Sequence, residues 1–221
     1  MTTLTTAPLD RLLDRLFDED AAASPANNPV FADMTPEQHM RLMHNRTEYL
    51  DIYTQLKDFP LAVSRETAAL LYLLARSSRA RSIVEFGTSI GISTLYLAAA
   101  LRDNGGGRLI TSEFEPGKVA KARANLVAGG LADLVEIREG DALVTLSTDL
   151  PETIDLLLLD GAKALYTDVL RLVESRLRPG ALVVADNADY SPDYLAHVRA
   201  AGNGYLSIPF GPDVEVSMRA G

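Results

Sequence analysis

The sequence predicts an α/β fold: a doubly wound, mostly parallel, seven-stranded sheet carrying an N-terminal helical extension. Three observations carry it. From Ser82 onward, apolar strand-like runs alternate with helical stretches, the pattern of successive β–α–β units. The runs Ile154–Leu159 and Ala181–Val184 are apolar at consecutive positions, as strands covered on both faces must be. Finally, Ile83–Phe86 leads straight into a turn bearing Gly87 and Gly91, and the small-residue helix from Ile92 follows at once.

In chain order, Pro8–Asp20 reads as a short amphipathic helix with Leu9, Leu12, Leu13, Leu16 and Phe17 on one stripe. The stretch 21–31 holds Pro25, Asn27, Asn28 and Pro29 and reads as a loop. Thr35-Pro36-Glu37 is a helix start, with Thr as cap and Pro in the first turn, and this helix is expected to run to about Asp58, before Pro60. Ser64 opens another through Leu74. Strands are expected at Ile83–Phe86, Arg108–Glu113, Leu134–Arg138, Ile154–Asp160 and Ala181–Asp186. Helices between and after them cover Ile92–Arg102, Pro116–Ala128, Ala142–Leu146, Ala164–Leu177 and Pro192–Ala200. Tyr205–Ile208 and Val214–Met218 form a closing pair; the second alternates and is expected to be antiparallel and less buried. Gly105-Gly106-Gly107 precedes a strand and lacks a following Lys-Ser/Thr, so it is a turn rather than a phosphate loop. Residues 1–60 are the helical extension and 61–221 the main domain.

Composition bounds the partners. The chain has 221 residues, is 47% hydrophobic, and carries a net charge of −9. An acidic balance without a local basic patch argues against nucleic acid. No apolar run reaches the ~18 residues of a membrane span, and the first residues lack a basic region followed by an apolar core, so neither a membrane partner nor a secretory signal is expected. With no cysteine, disulfides, thiolate zinc sites and cysteine nucleophiles are excluded, which fits a cytoplasmic protein. His39 and His44 are five apart, off a common helical face, so a zinc pair is not expected. Ser93 has no His partner in evidence to make a hydrolase triad.

The chemistry concentrates where strands end. Gly87 and Gly91 stand in a G-x-x-x-G spacing, not the G-x-G-x-x-G of a dinucleotide fold. That points to a pocket for a nucleoside without a pyrophosphate, namely S-adenosylmethionine. Glu113 closes the second strand, where a carboxylate can accept both hydroxyls of a ribose; it can equally be a solvated acid. Glu115 reads as a charge on the next helix's first turn. Asp141 can hold the adenine amino group, cap the following helix, or do both.

Two strand ends form the strongest signal. Ile154–Asp160 finishes in a carboxylate, and Ala181–Asn187 finishes in Asp186 and Asn187. If these strands are neighbours, Asp160, Asp186 and Asn187 converge, and three oxygen ligands suit a hard cation, Mg²⁺ first, then Mn²⁺ or Ca²⁺. Taken one at a time, each residue could instead cap a helix or make a turn. Lys163 begins the next helix and faces the same rim, near enough to a cation for its pKa to fall and for it to take a proton from a substrate hydroxyl.

The segments V-E-F-G-T-S-I-G-I-S (84–93), L-I-T-S-E-F-E-P (109–116), I-D-L-L-L-L-D-G-A-K-A-L-Y (154–166) and L-R-P-G-A-L-V-V-A-D-N (177–187) resemble the cation-dependent class I O-methyltransferases, of the catechol and caffeoyl-CoA type. The resemblance covers about Leu61 to Arg219. It implies a Rossmann-like methyltransferase fold and a transfer from S-adenosylmethionine to a hydroxyl of a catechol-like or natural-product acceptor. It implies that Glu85, Gly87, Ser89 and Ser93, with Gly91 in the same turn and Val63 close by, surround the methionine part of the cofactor. Glu113 falls on the ribose, Asp141 near the adenine, Asp160 beside the cofactor and on the metal with Asp186 and Asn187. Lys163 and Asp160 take the catalytic positions. The residues before Leu61 are expected to form a lid or a homodimer contact. Gly161-Ala162 stand where relatives often carry larger or charged residues, so a wider or differently shaped acceptor site is expected. Competing readings are a metal-independent methyltransferase and a non-catalytic cofactor-binding module.

Overall fold

Sheet strands whose side chains alternate between two covered faces must be apolar on both, and the central strands are. In the computed structural model, which describes residues 2–23 and 34–221, seven strands form one sheet in the order β3-β2-β1-β4-β5-β7-β6. They are β1 (Ser82–Phe86), β2 (Arg108–Glu113), β3 (Val135–Glu139), β4 (Ile154–Leu159), β5 (Leu177–Ala185), β6 (Tyr205–Phe210) and β7 (Val214–Arg219). Strands β1 to β5 pair in parallel; β7 runs antiparallel to β5 and β6.

The period of two sorts the core. Ile83, Leu156 and Leu158 point into one cluster, while Val84, Leu157 and Leu159 point into the other. The first cluster is covered by α1 (Leu9–Ala22), α4 (Arg65–Ser77) and α5 (Ile92–Asp103). The expected stripe of Leu9, Leu12, Leu13, Leu16 and Phe17 on α1 is buried in that same cluster. The second cluster is closed by α8 (Tyr166–Val173) and α9 (Pro192–Arg199). Each large apolar side chain so buried contributes on the order of 2 kcal/mol. The remaining helices are α2 (Pro36–Met43), α3 (Tyr49–Gln55), α6 (Pro116–Ala128) and the single turn α7 (Ala142–Thr145).

Three expectations are corrected. The helix expected from Thr35 to about Asp58 is two helices, α2 and α3. The Asn45 side-chain oxygen accepts the backbone N–H of both Thr47 and Glu48 at 2.9 Å, and this Asx turn competes with the helical ladder. Its start stands as expected, with a Thr35–Gln38 capping box. The fifth strand begins at Leu177 rather than Ala181, because a register shift between Ile154 and Leu156 accommodates the Pro179-Gly180 stretch. The helix expected over 164–177 is regular only from Tyr166 to Val173, with a 3₁₀ turn at each end. Strand β7 is antiparallel and less buried than β4, as expected, with Met218 39% exposed, although it lies inside the sheet and β6 forms the edge. Glu215 is 1% exposed there and is neutralised by the forked guanidinium of Arg199 at 2.6 and 2.8 Å. Of the loop expected over 21–31, residues 24–31 lie outside the described residues.

Candidate active site

The sheet order reverses at β1, which has β2 on one side and β4 on the other. Ligands of doubly wound sheets sit in the crevice outside the carboxyl ends at such a switch point. All the singled-out strand ends lie there. Backbone bonds fix their spacing: Asp160 N donates to Phe86 O at 2.8 Å, and Asp186 N donates to Leu159 O at 3.0 Å.

The turn after β1 uses its glycines for packing against the protein. Gly87 has φ +101°, and a Cβ there would lie 2.5 Å from Asp160 O, so only glycine lets the tips of β1 and β4 close together. Gly91, at φ +91°, caps α5 in the left-handed region, and its missing side chain faces Ala122 of α6. Gly87 also lines the cleft; Gly91 is placed behind it.

Glu85 lies beneath this turn with 0% exposure, accepting 2.6 Å hydrogen bonds from the hydroxyls of Ser93 and Thr94. Burial pushes its carboxyl up to about 7, against the pull of those hydroxyls. A raised carboxylate pKa favours the folded state at low pH, and the benefit is lost between the ordinary 4.5 and about 7. That interval corresponds to about 3 kcal/mol. Glu85→Gln is therefore expected to flatten the decline of folding stability between pH 5 and 7; denaturant melts with the wild-type slope in the variant would refute it.

At the end of β2, Glu113 is held by three backbone amides: Ser89 N donates to Oε2 at 2.8 Å, and Phe114 N and Glu115 N donate to Oε1 at 3.0 Å. Ser89 itself is left-handed and donates its hydroxyl to Pro60 O. Glu115 caps α6 by accepting from Lys118 N at 2.6 Å. Asp141 caps α7 through Oδ1, accepting Leu143 N at 2.9 Å, while Oδ2 accepts the Tyr49 hydroxyl at 2.9 Å.

Asp160 and Asp186 end neighbouring strands, one position beyond the paired Leu159 and Ala185. Their carboxyl groups are close enough for the charge of one to act on the other. Burial and then the Asp160 charge push Asp186 up to about 7, and burial raises Asp160 as well. Lys163 Nζ donates to Asp160 Oδ1 at 2.9 Å, with both side chains nearly buried. Without an ion, burial pulls the ammonium down, while Asp160, joined by Tyr166, Tyr53 and Asp186, pushes it up and leaves Lys163 well above the ordinary range; the expected lowering belongs to the ion-bound site. Tyr166 packs its ring 5.4 Å from that ammonium and donates its hydroxyl to Asp186 O at 2.6 Å. Asn187 takes the left-handed conformation at φ 49°, and its Nδ2 donates to Asp213, which leaves Oδ1 as a free acceptor.

This donor set fits a hard divalent ion: two carboxylates that repel each other and one amide oxygen, all in reach of one edge. Among the described residues no three His, Cys, Asp or Glu side chains cluster, so the third protein ligand would have to be the amide.

Two connected spaces result. The larger cleft, roughly 600 Å³ including its mouth, runs from Glu113 and Asp141 to Asp160, under Tyr49, Leu50 and Tyr53 of α3. A smaller one behind it is lined by Val63, Gly87, Ser89, Ser93 and Asp160. Sequence reasoning missed Tyr49, Tyr53, Tyr166 and Lys118; the i, i+4 spacing of Tyr49 and Tyr53 on one helix face was the available signal. Gly161 does not widen the acceptor side as expected. A Cβ there would lie 2.4 Å from the Phe86 ring, so its smallness is used by Phe86, and Tyr53 closes over its carbonyl at 3.5 Å.

Fold and cleft together have the architecture of the class I methyltransferases. Residues 84–188 match the family model described as a methyltransferase domain. A catechol O-methyltransferase of Niastella koreensis is 38% identical over 58% of this chain and 58% of its own length. The catechol O-methyltransferase of Sus scrofa is 31% identical over 66% of this chain and 82% of its own. The crystal structure of the O-methyltransferase TomG from Streptomyces achromogenes, involved in tomaymycin synthesis and solved with SAM, superposes with a TM-score of 0.64 at 26% identity, over 92% of this chain and 99% of that one. The chain thus belongs to the class I O-methyltransferase family that includes the catechol O-methyltransferases. It spans less than two thirds of the length of the first of these relatives.

Proposed function

We propose that this protein transfers a methyl group from S-adenosylmethionine to a hydroxyl of a small catechol-like or natural-product acceptor, with help from a divalent ion, Mg²⁺ first. The observation that carries this reading is the position of Asp160, which lines both spaces and touches Lys163 and Asp186 as well. The ribose would rest on Glu113, the adenine near Asp141, and the methionine arm against Val63, Ser89 and Ser93. The donor supplies an electrophilic methyl group, and a bound ion would supply Lewis acidity and a template for two adjacent oxygens.

The chain's own residues do the rest. Asp160, Asp186 and Asn187 form the ion's protein ligands. Lys163 stands beside Asp160 to take the acceptor's proton. Tyr49, Tyr53 and Leu50 cover the cleft from the N-terminal extension and exclude water. Alignment of acceptor and methyl group can supply ~7–11 kcal/mol of the barrier reduction. The residues before Leu61 thus act as a lid; a homodimer and a cytoplasmic location complete the proposal.

A second reading, methyl transfer without metal, is favoured by the Lys163–Asp160 ion pair, which already neutralises one carboxylate. The deciding experiment offers labelled S-adenosylmethionine and a panel of catechols and monophenols, with and without EDTA. The metal-assisted reading expects transfer to catechols that EDTA abolishes and Mg²⁺ restores. Transfer untouched by EDTA selects the second reading; cofactor binding without any transfer would leave a binding module.

A further inference from the structure

A lysine in a helix's first turn places its charge at the positive end of the helix dipole, and burying an ammonium without a partner is costlier still. Lys118 has the first handicap and, with its side chain nearly buried, much of the second. It lies in the first turn of α6 and is 7% exposed. Among the described residues its ammonium makes no hydrogen bond and no ion pair. Its side chain lines the large cleft beside Glu113, Phe114 and Asp160, and on its other side it walls a cavity with Pro60 and Ile90. Burial pulls its pKa down, while Glu113 foremost, then Glu115, Asp160 and Asp58, push it back up. A purely structural ammonium would close onto one of those carboxylates. This one stays unpaired among the described residues, on a side chain that lines the cleft.

Glu113 shows what those donors are suited to. Three backbone amides already occupy its carboxylate, which has about four acceptor positions. What remains, about one position, can accept from the diol hydroxyls as a shared acceptor and can donate nothing. A ribose diol held there alone would keep its hydroxyl oxygens without a donor in a desolvated cleft, a loss of the kind that unpaired buried acceptors suffer. A cation beside Glu113 supplies the missing half.

We propose that Lys118 is a second ribose-binding residue, donating to the hydroxyl oxygens whose protons Glu113 accepts. The pair then reads a cis-diol from both sides, selecting a ribonucleoside over its deoxy counterpart. This rests on the reading of the cleft as the S-adenosylmethionine site.

The test is titration calorimetry on wild type, Lys118→Met and Lys118→Gln with S-adenosylhomocysteine and with 5′-methylthioadenosine, which keeps the ribose and lacks the amino-acid arm. Lys118→Met should weaken both ligands by a similar factor, roughly tenfold. Lys118→Gln, which keeps a donor, should recover part of the loss. The melting temperature of the free Met variant should not fall, since a cation without a protein partner has gone from the first turn of a helix. A loss confined to S-adenosylhomocysteine would make the ligand's carboxylate the partner and overturn the proposal. Unchanged or tighter binding of both ligands would overturn it too. Should the Met variant fail to fold, the Gln variant carries the same two-ligand comparison. Wild type that binds neither ligand would instead remove the reading of the cleft itself, and the proposal with it.

Discussion

Asp160→Asn is expected to lower kcat/KM by about 10³-fold and to weaken Mg²⁺ binding in parallel. The two effects share one cause. Asp160 and Asp186 end neighbouring strands, and burial followed by the Asp160 charge holds Asp186 at about 7. A dication is worth most where two such charges share one hydrogen-bonded lysine between them. Asparagine keeps the shape and one oxygen but removes the charge, so the cleft loses both its attraction for a cation and the field that orients Lys163. Wild-type Mg²⁺ affinity should also fall as pH drops below about 7, because Asp186 must lose its proton before it can ligate. Calorimetry across pH 6–8 measures this without any turnover. An Asn variant that keeps wild-type activity in chelator, or a Mg²⁺ affinity that ignores pH, would remove the ion from the proposal.

Lys163→Met is expected to reduce kcat by about 10²–10⁴-fold, the range for loss of a positioned general base, with little change in the KM for S-adenosylmethionine. Lys163 cannot serve as a base in the ion-free geometry, because Asp160 holds its proton in place. It becomes one only when that carboxylate is neutralised, which ties its activation to the same site. Lys163→Arg separates the roles. The guanidinium can keep the ion pair but cannot give up a proton at ordinary pH, so it should preserve stability and leave kcat as low as the Met variant. The Met deficit should shrink at alkaline pH, where the acceptor hydroxyl ionises unaided. An Arg variant with near-wild-type kcat would assign Lys163 to charge balance and end its role as a base.

Much of this cleft was legible because its parts are short and local. A strand that must be apolar on both faces and then ends in a carboxylate announces its last residue, so Glu113, Asp160 and Asp186 stood out. The convergence of Asp160 and Asp186 needed one further condition, that β4 and β5 be neighbours, and the pairing Leu159↔Ala185 meets it. Caps at Thr35, Ser64 and Asp141 were readable for the same reason: each satisfies an amide two or three residues away. The break between α2 and α3 was not, because a single Asn45 side chain outweighs a helical pattern that continues across it.

The sequence by itself determined the order of elements, the glycine turn and which strand ends carry acids, since these follow from periodicity and from bonds made within a few residues. Tertiary structure alone decided that Gly87 and Gly161 serve contacts with Asp160 and Phe86, and that Tyr49 reaches across to Asp141. It alone turned the Lys163 pKa upward and left Lys118 facing Glu113 without a partner. The physical reason is range: a hydrogen-bonded cap is set by neighbours along the chain, whereas burial and the charge felt by a buried group are set by whatever distant segments fold around it.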